Sequence, residues 1–190
     1  MQLKAKTPIV LDLETLGLKS TAAVIEIGAI NMRTGATFSA SICPEWYARK
    51  DRPSLFHVSP AAIAFHQKNN PDYLARLNSE GGDGRRVVEK FLDWCKEQHI
   101  PGTELHIWCQ GKDADIPWIG NLAAYSGLSL PWHYRNAHCT RDLFQQYPEV
   151  RTPHRGDHTA LADAKATAAN LDKLATEVPR VKDFVYGGPI

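Results

Sequence analysis

An uninterrupted apolar run, Ile9-Val10-Leu11, ends on two carboxylates, Asp12 and Glu14. Continuous apolar residues of this kind read as a strand buried on both faces, so residues 7–12 are expected in a sheet interior, followed by a loop at Gly17. Asp12 and Glu14 are two apart, so on a strand their side chains share a face. Both residue types are poor strand formers, and two neighbouring negative charges repel unless a cation sits between them. The plainer alternative is a polar strand end.

The pattern that follows limits the topology. Val24–Met32 reads as a second strand and Ala36–Ile42 as a third, with Gly35 in the turn; such short connections predict an antiparallel meander. Residues 44–60 read as irregular. Ser59-Pro60 reads as a helix start, Ser as cap and Pro at the first helical position, with the helix running to about Gln67. Residues 79–84 carry three glycines and read as a flexible loop. Val87, Val88, Phe91, Leu92 and Cys95 fall at helical spacing within Arg86–Gln98. Glu104–Trp108 reads as a fourth strand, Asp115–Ser126 as a helix stopped by Gly127, and Thr140–Tyr147 as a short helix. A last long helix runs from His158 or Thr159 to about Glu177. Strands first, then helices with one strand inserted, predicts an α/β mixed-sheet fold. A single domain over residues 1–190 would bury ~70% of its unfolded surface.

The formal net charge of +1 excludes a strongly basic wrapper of duplex DNA, but not a nucleic-acid enzyme with a local basic rim. Arg151, His154 and Arg155 form a small basic stretch near the end. Cys43, Cys95, Cys109 and Cys139 include no C-x-x-C pair and read as reduced thiols. His154 and His158 are four apart, but Gly156 breaks the helix that a zinc reading needs. Gly81-Gly82-Asp83-Gly84 lacks the G-K-[ST] ending of a nucleotide loop. With neither a signal-type segment nor a run of 18 apolar residues, the expectation is a cytoplasmic protein without a membrane partner.

Two more sites carry chemistry. Asp115 follows Trp108-Cys109-Gln110-Gly111 and, taken alone, reads first as a helix cap. His158 and Asp163 lie five apart at the start of an alanine-rich helix; taken singly they read as a capping histidine and an exposed aspartate. Taken together, four carboxylates and one histidine at three places are the minimum set for cutting a phosphodiester with two metal ions and a water. All-oxygen ligands suit Mg²⁺ or Mn²⁺.

In this order the motifs resemble the DEDDh class of 3′→5′ exonucleases, in the ribonuclease H-like superfamily. The first motif is Asp12-Leu-Glu-Thr15 with Leu16-Gly17, the second Trp108 through Asp115, and the third His158-Thr-Ala-Leu-Ala-Asp163-Ala. Val24-Ile-Glu-Ile-Gly-Ala-Ile30 resembles the family's second strand, and the resemblance spans residues 7–175. It is strongest toward the branch of ribonuclease T-like phage exonucleases, exonuclease VIII and related exoribonucleases. The features pointing there are Ser59-Pro60-x-x-Ile63-x-Phe65-His66-Gln67, Trp108-x-x-Gly111, and Arg135-Asn136 with Arg141-Asp142-Leu143. Gln110 stands where the family usually has Asn, Ala114 where it has Phe, and His66 where it has a second aromatic.

The resemblance implies a ribonuclease H-like fold, with three antiparallel strands first and parallel strands after, flanked by helices. It implies removal of nucleotides from 3′ ends of single-stranded DNA by two-metal hydrolysis, with RNA as the alternative substrate. A silent nucleic-acid-binding adaptor of the same fold is the non-enzyme alternative, and retention of all five active-site residues argues against it. Asp12, Glu14, Asp115 and Asp163 would hold two Mg²⁺ ions, for which Mn²⁺ could substitute, and His158 would be the general base. Leu13, Thr15 and Leu16 would contact the terminal nucleotide, with Phe65 and His66 as stacking partners and Gln110 and Arg155 as further contacts. Trp118 is another stacking candidate, for which core packing is the first alternative. Related exonucleases are often homodimers, so pairing with a second copy is a further expectation.

Overall fold

The computed structural model describes residues 4–48, 55–152 and 159–188. Strands β1 (Lys6–Thr15), β2 (Val24–Asn31), β3 (Thr37–Ser41), β4 (Glu104–Cys109) and β5 (Ala137–Cys139) form one sheet in the order β3-β2-β1-β4-β5. β1 pairs antiparallel with β2 and β2 with β3, whereas β4 and β5 join in parallel on the other side. This is the expected mixed sheet. The helices are α1 (Pro60–Asn69), α2 (Tyr73–Glu80), α3 (Gly84–Gln98), α4 (Lys112–Tyr125), α5 (Thr140–Gln146), α6 (Ala160–Glu177) and α7 (Pro179–Tyr186).

β1 is central, and its apolar run is buried because helices cover both faces. Ile9, Leu11 and Leu13 share a cluster with Phe91 and Leu92 of α3 and Ile119 and Leu122 of α4. Val10 points the other way, into a cluster with Trp108, Ala164, Ala168 and Leu171 of α6, and Val181 and Val185 of α7. The strand runs three residues beyond the expected end because β2 keeps pairing with it. Asp12 lies opposite Gly28 and Glu14 opposite Glu26, with a register shift only after Glu14.

The glycine-rich stretch is not the flexible loop expected. α2 runs to Glu80, α3 starts at Gly84, and the short connection is tied to the end of β3. Gly82 N donates to Ser41 O (2.8 Å) and Cys43 N to Gly82 O (3.0 Å). Asp83 caps α3 by accepting from the amides of Arg85 and Arg86. A side chain at Gly81 would meet Leu77 O at 2.4 Å and Cys43 N at 2.5 Å, so glycine permits a close backbone approach here.

The first turn of α6 rests directly on β2. A Cβ at Gly28 would lie 2.1 Å from both Ala160 C and Leu161 N, which are backbone atoms unable to swing aside. Gly28→Ala is therefore expected to destabilise the protein by about 1–3 kcal/mol, the usual cost of overpacking. Thermal denaturation checks this; an unchanged melting temperature would mean that α6 does not bear on β2. Among the described residues no helix is long and apolar enough to cross a membrane.

Candidate active site

Strand alternation turns Asp12 and Glu14 toward α6, opposite to Ile9, Leu11 and Leu13. Asp163 comes from the first turn of α6, which Thr159 caps by accepting from Ala162 N (3.4 Å). One carboxylate oxygen from each of Asp12, Glu14 and Asp163 lies within 4.8 Å of the others. This all-oxygen donor set fits a hard divalent cation.

Asp115 stands on a different element. α4 begins at Lys112, three residues before Asp115, so Gly111 takes the N-cap position and the expected capping role of Asp115 is overturned. Its own amide donates to Gly111 O (3.0 Å), and its carboxylate is buried. Asp115 lines a cavity of about 450 Å³ together with Asp12, Asp163, Gln110, Arg141 and Arg151. Gln110 accepts from Thr167 Oγ1 (3.4 Å) through its side chain and from Arg141 Nη2 (2.9 Å) through its carbonyl. Asn170 holds the Thr152 backbone by accepting from its N–H (2.9 Å) and donating to its carbonyl (3.1 Å), which keeps Arg151 and Thr152 on the cavity wall.

A second pocket of about 430 Å³ opens beside Glu14 and is lined by Leu13, Thr15, Leu18, Phe65, His66 and Trp118. Phe65 is 54% exposed, so it is a pocket wall rather than core. His66 is buried and its Nε2 donates to Thr15 O (3.0 Å), bracing the end of β1. Trp118 serves both readings: it is buried, donates Nε1–H to Lys19 O (2.6 Å), and forms part of both cavities. Leu16, expected with these residues, is 3% exposed and packs its side chain with Ala23, Ile25, Tyr73 and Leu77. The register shift after Glu14 turns it into the core, and its carbonyl accepts from Ser59 N (2.6 Å). His158 and Arg155 lie outside the described residues.

Leu18 is 90% exposed on the pocket rim, and the sequence marks it only by an apolar side chain straight after Gly17. Arg141, on the polar cavity wall, is marked in the sequence only by the Arg141-Asp142-Leu143 motif. The buried Glu26 gave no signal beyond its place in an otherwise apolar strand.

The acidic cluster is electrostatically unfavourable by itself. Burial first, then Asp115, Glu14, Asp163 and Glu26, push the Asp12 carboxyl well above its ordinary range. Burial, followed by Asp163, Glu26 and Asp115, raises Glu14 to about 8. Burial raises Asp115 to about 7, against the pull of Arg141. A bound cation reverses this balance by favouring the ionised carboxylates.

This has a measurable sign. Carboxyls whose folded pKa is raised contribute stability that is fully present below their unfolded values of ~4 and is lost progressively as pH rises to the folded values, here about 7 to 8. His106 and His138, whose Nδ1 and Nε2 lie 2.7 Å apart, are both lowered to about 4, chiefly by burial. They lower stability only below about pH 6.5, where the unfolded imidazoles begin to protonate. In EDTA, the melting temperature is therefore expected to fall between pH 6.5 and 8.5, and Mg²⁺ or Mn²⁺ to reverse most of the fall. A flat profile in EDTA would contradict the electrostatic account.

Comparison with solved structures places the fold. The chain matches a product-bound exonuclease I with a TM-score of 0.67 at 15% identity, covering 95% of this chain and 46% of that one. It matches exonuclease I from Methylocaldum szegediense with a TM-score of 0.64 at 13% identity, covering 94% and 42%. It thus spans just under half the length of these exonuclease I chains. The nuclease domain of 3′hExo, a DEDDh family member bound to rAMP, aligns with a TM-score of 0.59 at 16% identity over 91% of this chain and 93% of that one. No curated protein matches by sequence. Residues 7–174 match the family model described as the 3′-5′ exoribonuclease Rv2179c-like domain. That match takes in every strand but the first residue of β1, as well as both pockets and the whole acidic cluster, and the chain belongs to this family of 3′-5′ exonuclease domains.

Proposed function

We propose that the chain is a divalent-cation-dependent 3′→5′ exonuclease acting on single-stranded RNA. One observation carries the reading: the Asp12–Glu14–Asp163 cluster stands beside two unlike pockets, one aromatic and apolar, the other polar with two arginines. RNA is preferred to the DNA expected from the phage-exonuclease resemblance because the family description names an exoribonuclease.

In this reading Leu13, Leu18 and Phe65 receive the terminal nucleoside and keep water from its base. Arg141 and Arg151 face the phosphate from the other side. Asp12, Glu14 and Asp163 would hold a divalent cation, with Asp115 on the wall of the adjoining cavity as a further ligand for a second. When bound, such ions would supply charge neutralisation at the phosphoryl group and a more acidic water. His158 takes the proton of the attacking water. The water oxygen bonds to phosphorus, the P–O3′ bond to the upstream nucleotide breaks with its oxygen taking a proton from solvent, and a nucleoside 5′-monophosphate leaves.

Phe65→Ala is expected to raise KM about 5- to 150-fold with a smaller change in kcat, since stacking on one base is worth ~1–3 kcal/mol. Steady-state hydrolysis of a short oligonucleotide checks this, and an unchanged KM would take Phe65 out of substrate binding. The function itself is tested by digesting 5′-labelled single-stranded RNA and DNA of one sequence, side by side, in Mg²⁺ and in EDTA. A one-nucleotide ladder from the 3′ end in Mg²⁺, faster on RNA, supports the proposal. Faster DNA digestion overturns the substrate assignment, and internal cuts or no cleavage overturn the activity.

A further inference from the structure

Glu26 is a buried glutamate that the proposed hydrolysis does not use. It sits on β2 directly opposite Glu14, and it is 7% exposed. Its Oε2 accepts two hydrogen bonds, from the Tyr73 hydroxyl (2.7 Å) and from Ala160 N (3.4 Å). The second donor is one of the amides that a helix start leaves without a partner in the helix. Two residues along the same face of β2 is Gly28, opposite Asp12, where the absence of a side chain lets the Ala160–Leu161 backbone settle on the strand.

The two β2 residues paired with the Asp12 and Glu14 positions therefore both meet the first residue of α6, three residues before Asp163. Gly28 admits the helix, and Glu26 fastens its first amide. Tyr73, from α2, fixes the Glu26 carboxylate in turn.

We propose that Glu26 is a positioning residue that anchors the first turn of α6 on β2 and so sets Asp163 against Asp12 and Glu14. The inference rests on reading that acidic cluster as the cation site. Because both bonds fall on a single oxygen, the working group is an acceptor at one place. Glutamine can supply that oxygen without the charge, whereas methionine fills a similar volume and supplies no such acceptor.

The test is calorimetric binding of Mn²⁺ to the whole chain without nucleic acid, together with thermal denaturation in EDTA. Glu26→Met is expected to fold and to bind Mn²⁺ about ten-fold more weakly, while Glu26→Gln stays within about three-fold of wild type. Wild-type affinity in Glu26→Met overturns the proposal. Equal weakening in both variants also overturns it, because charge rather than position would then be responsible. If Glu26→Met does not fold, Tyr73→Phe decides: weaker binding supports the anchor and wild-type binding overturns it. Because the readout is cation binding, an absence of RNA hydrolysis by the wild type would count against the proposed function and leave this result separately readable.

Discussion

Asp12→Ala is expected to leave less than about one-thousandth of wild-type hydrolysis in Mg²⁺, because cation stabilisation of the transition state is worth several kcal/mol and each 1.36 kcal/mol is tenfold in rate. Asp12 is the residue to choose because it is central. It lies on the middle strand of the sheet, belongs to the three-carboxylate cluster and lines the polar cavity with Asp115. The same substitution should not weaken the metal-free fold. Burial and four neighbouring carboxylates all disfavour the ionised Asp12 side chain, so its removal relieves repulsion above neutral pH. The expected pair of results is loss of activity with a melting temperature in EDTA at pH 8 equal to or above that of wild type. Residual Mg²⁺-dependent cleavage would contradict the site, and a much lower melting temperature would contradict its electrostatics.

His158→Ala is expected to lower kcat by about 10²- to 10⁴-fold, the usual range for losing a general base, while Mn²⁺ binding and RNA binding stay close to wild type. His158 directly precedes Thr159, the residue that caps α6. Wild-type rate constants in the variant would remove His158 from the mechanism. A drop in metal affinity equal to the drop in rate would make it a ligand instead.

Much of the frame was legible in the sequence because it rests on continuous patterns. The Ile9-Val10-Leu11 run predicted a strand buried on both faces, and it is the central strand with Val10 and Leu11 in opposite clusters. The turn at Gly35 and the spacing of the first three strands predicted the antiparallel meander. What the sequence did not show depends on distant partners. The glycines after α2 signalled flexibility, but the partner that immobilises them is the end of β3, about forty residues away. β5 has three residues, and among the described residues it pairs only with β4 in the sheet, so it lacks a periodicity to detect. Asp115 had the composition of a cap, yet α4 starts a turn earlier, and the aspartate faces the cavity instead. Leu16 and Leu18 look alike in sequence, but the shift in register after Glu14 buries one and leaves the other on a pocket rim.

The central claim is that these carboxylates are the cation site at which a nucleic-acid 3′ end is hydrolysed. Anomalous scattering from crystals of the wild-type chain, soaked with Mn²⁺ and a short RNA bearing a non-hydrolysable 3′-terminal linkage, tests it most directly. Two Mn²⁺ peaks about 3.5–4 Å apart are expected, one among Asp12, Glu14 and Asp163 and one between Asp12 and Asp115. The terminal nucleoside should lie against Leu13, Leu18 and Phe65. Mn²⁺ bound elsewhere, or a 3′ end lying away from these carboxylates, would contradict it.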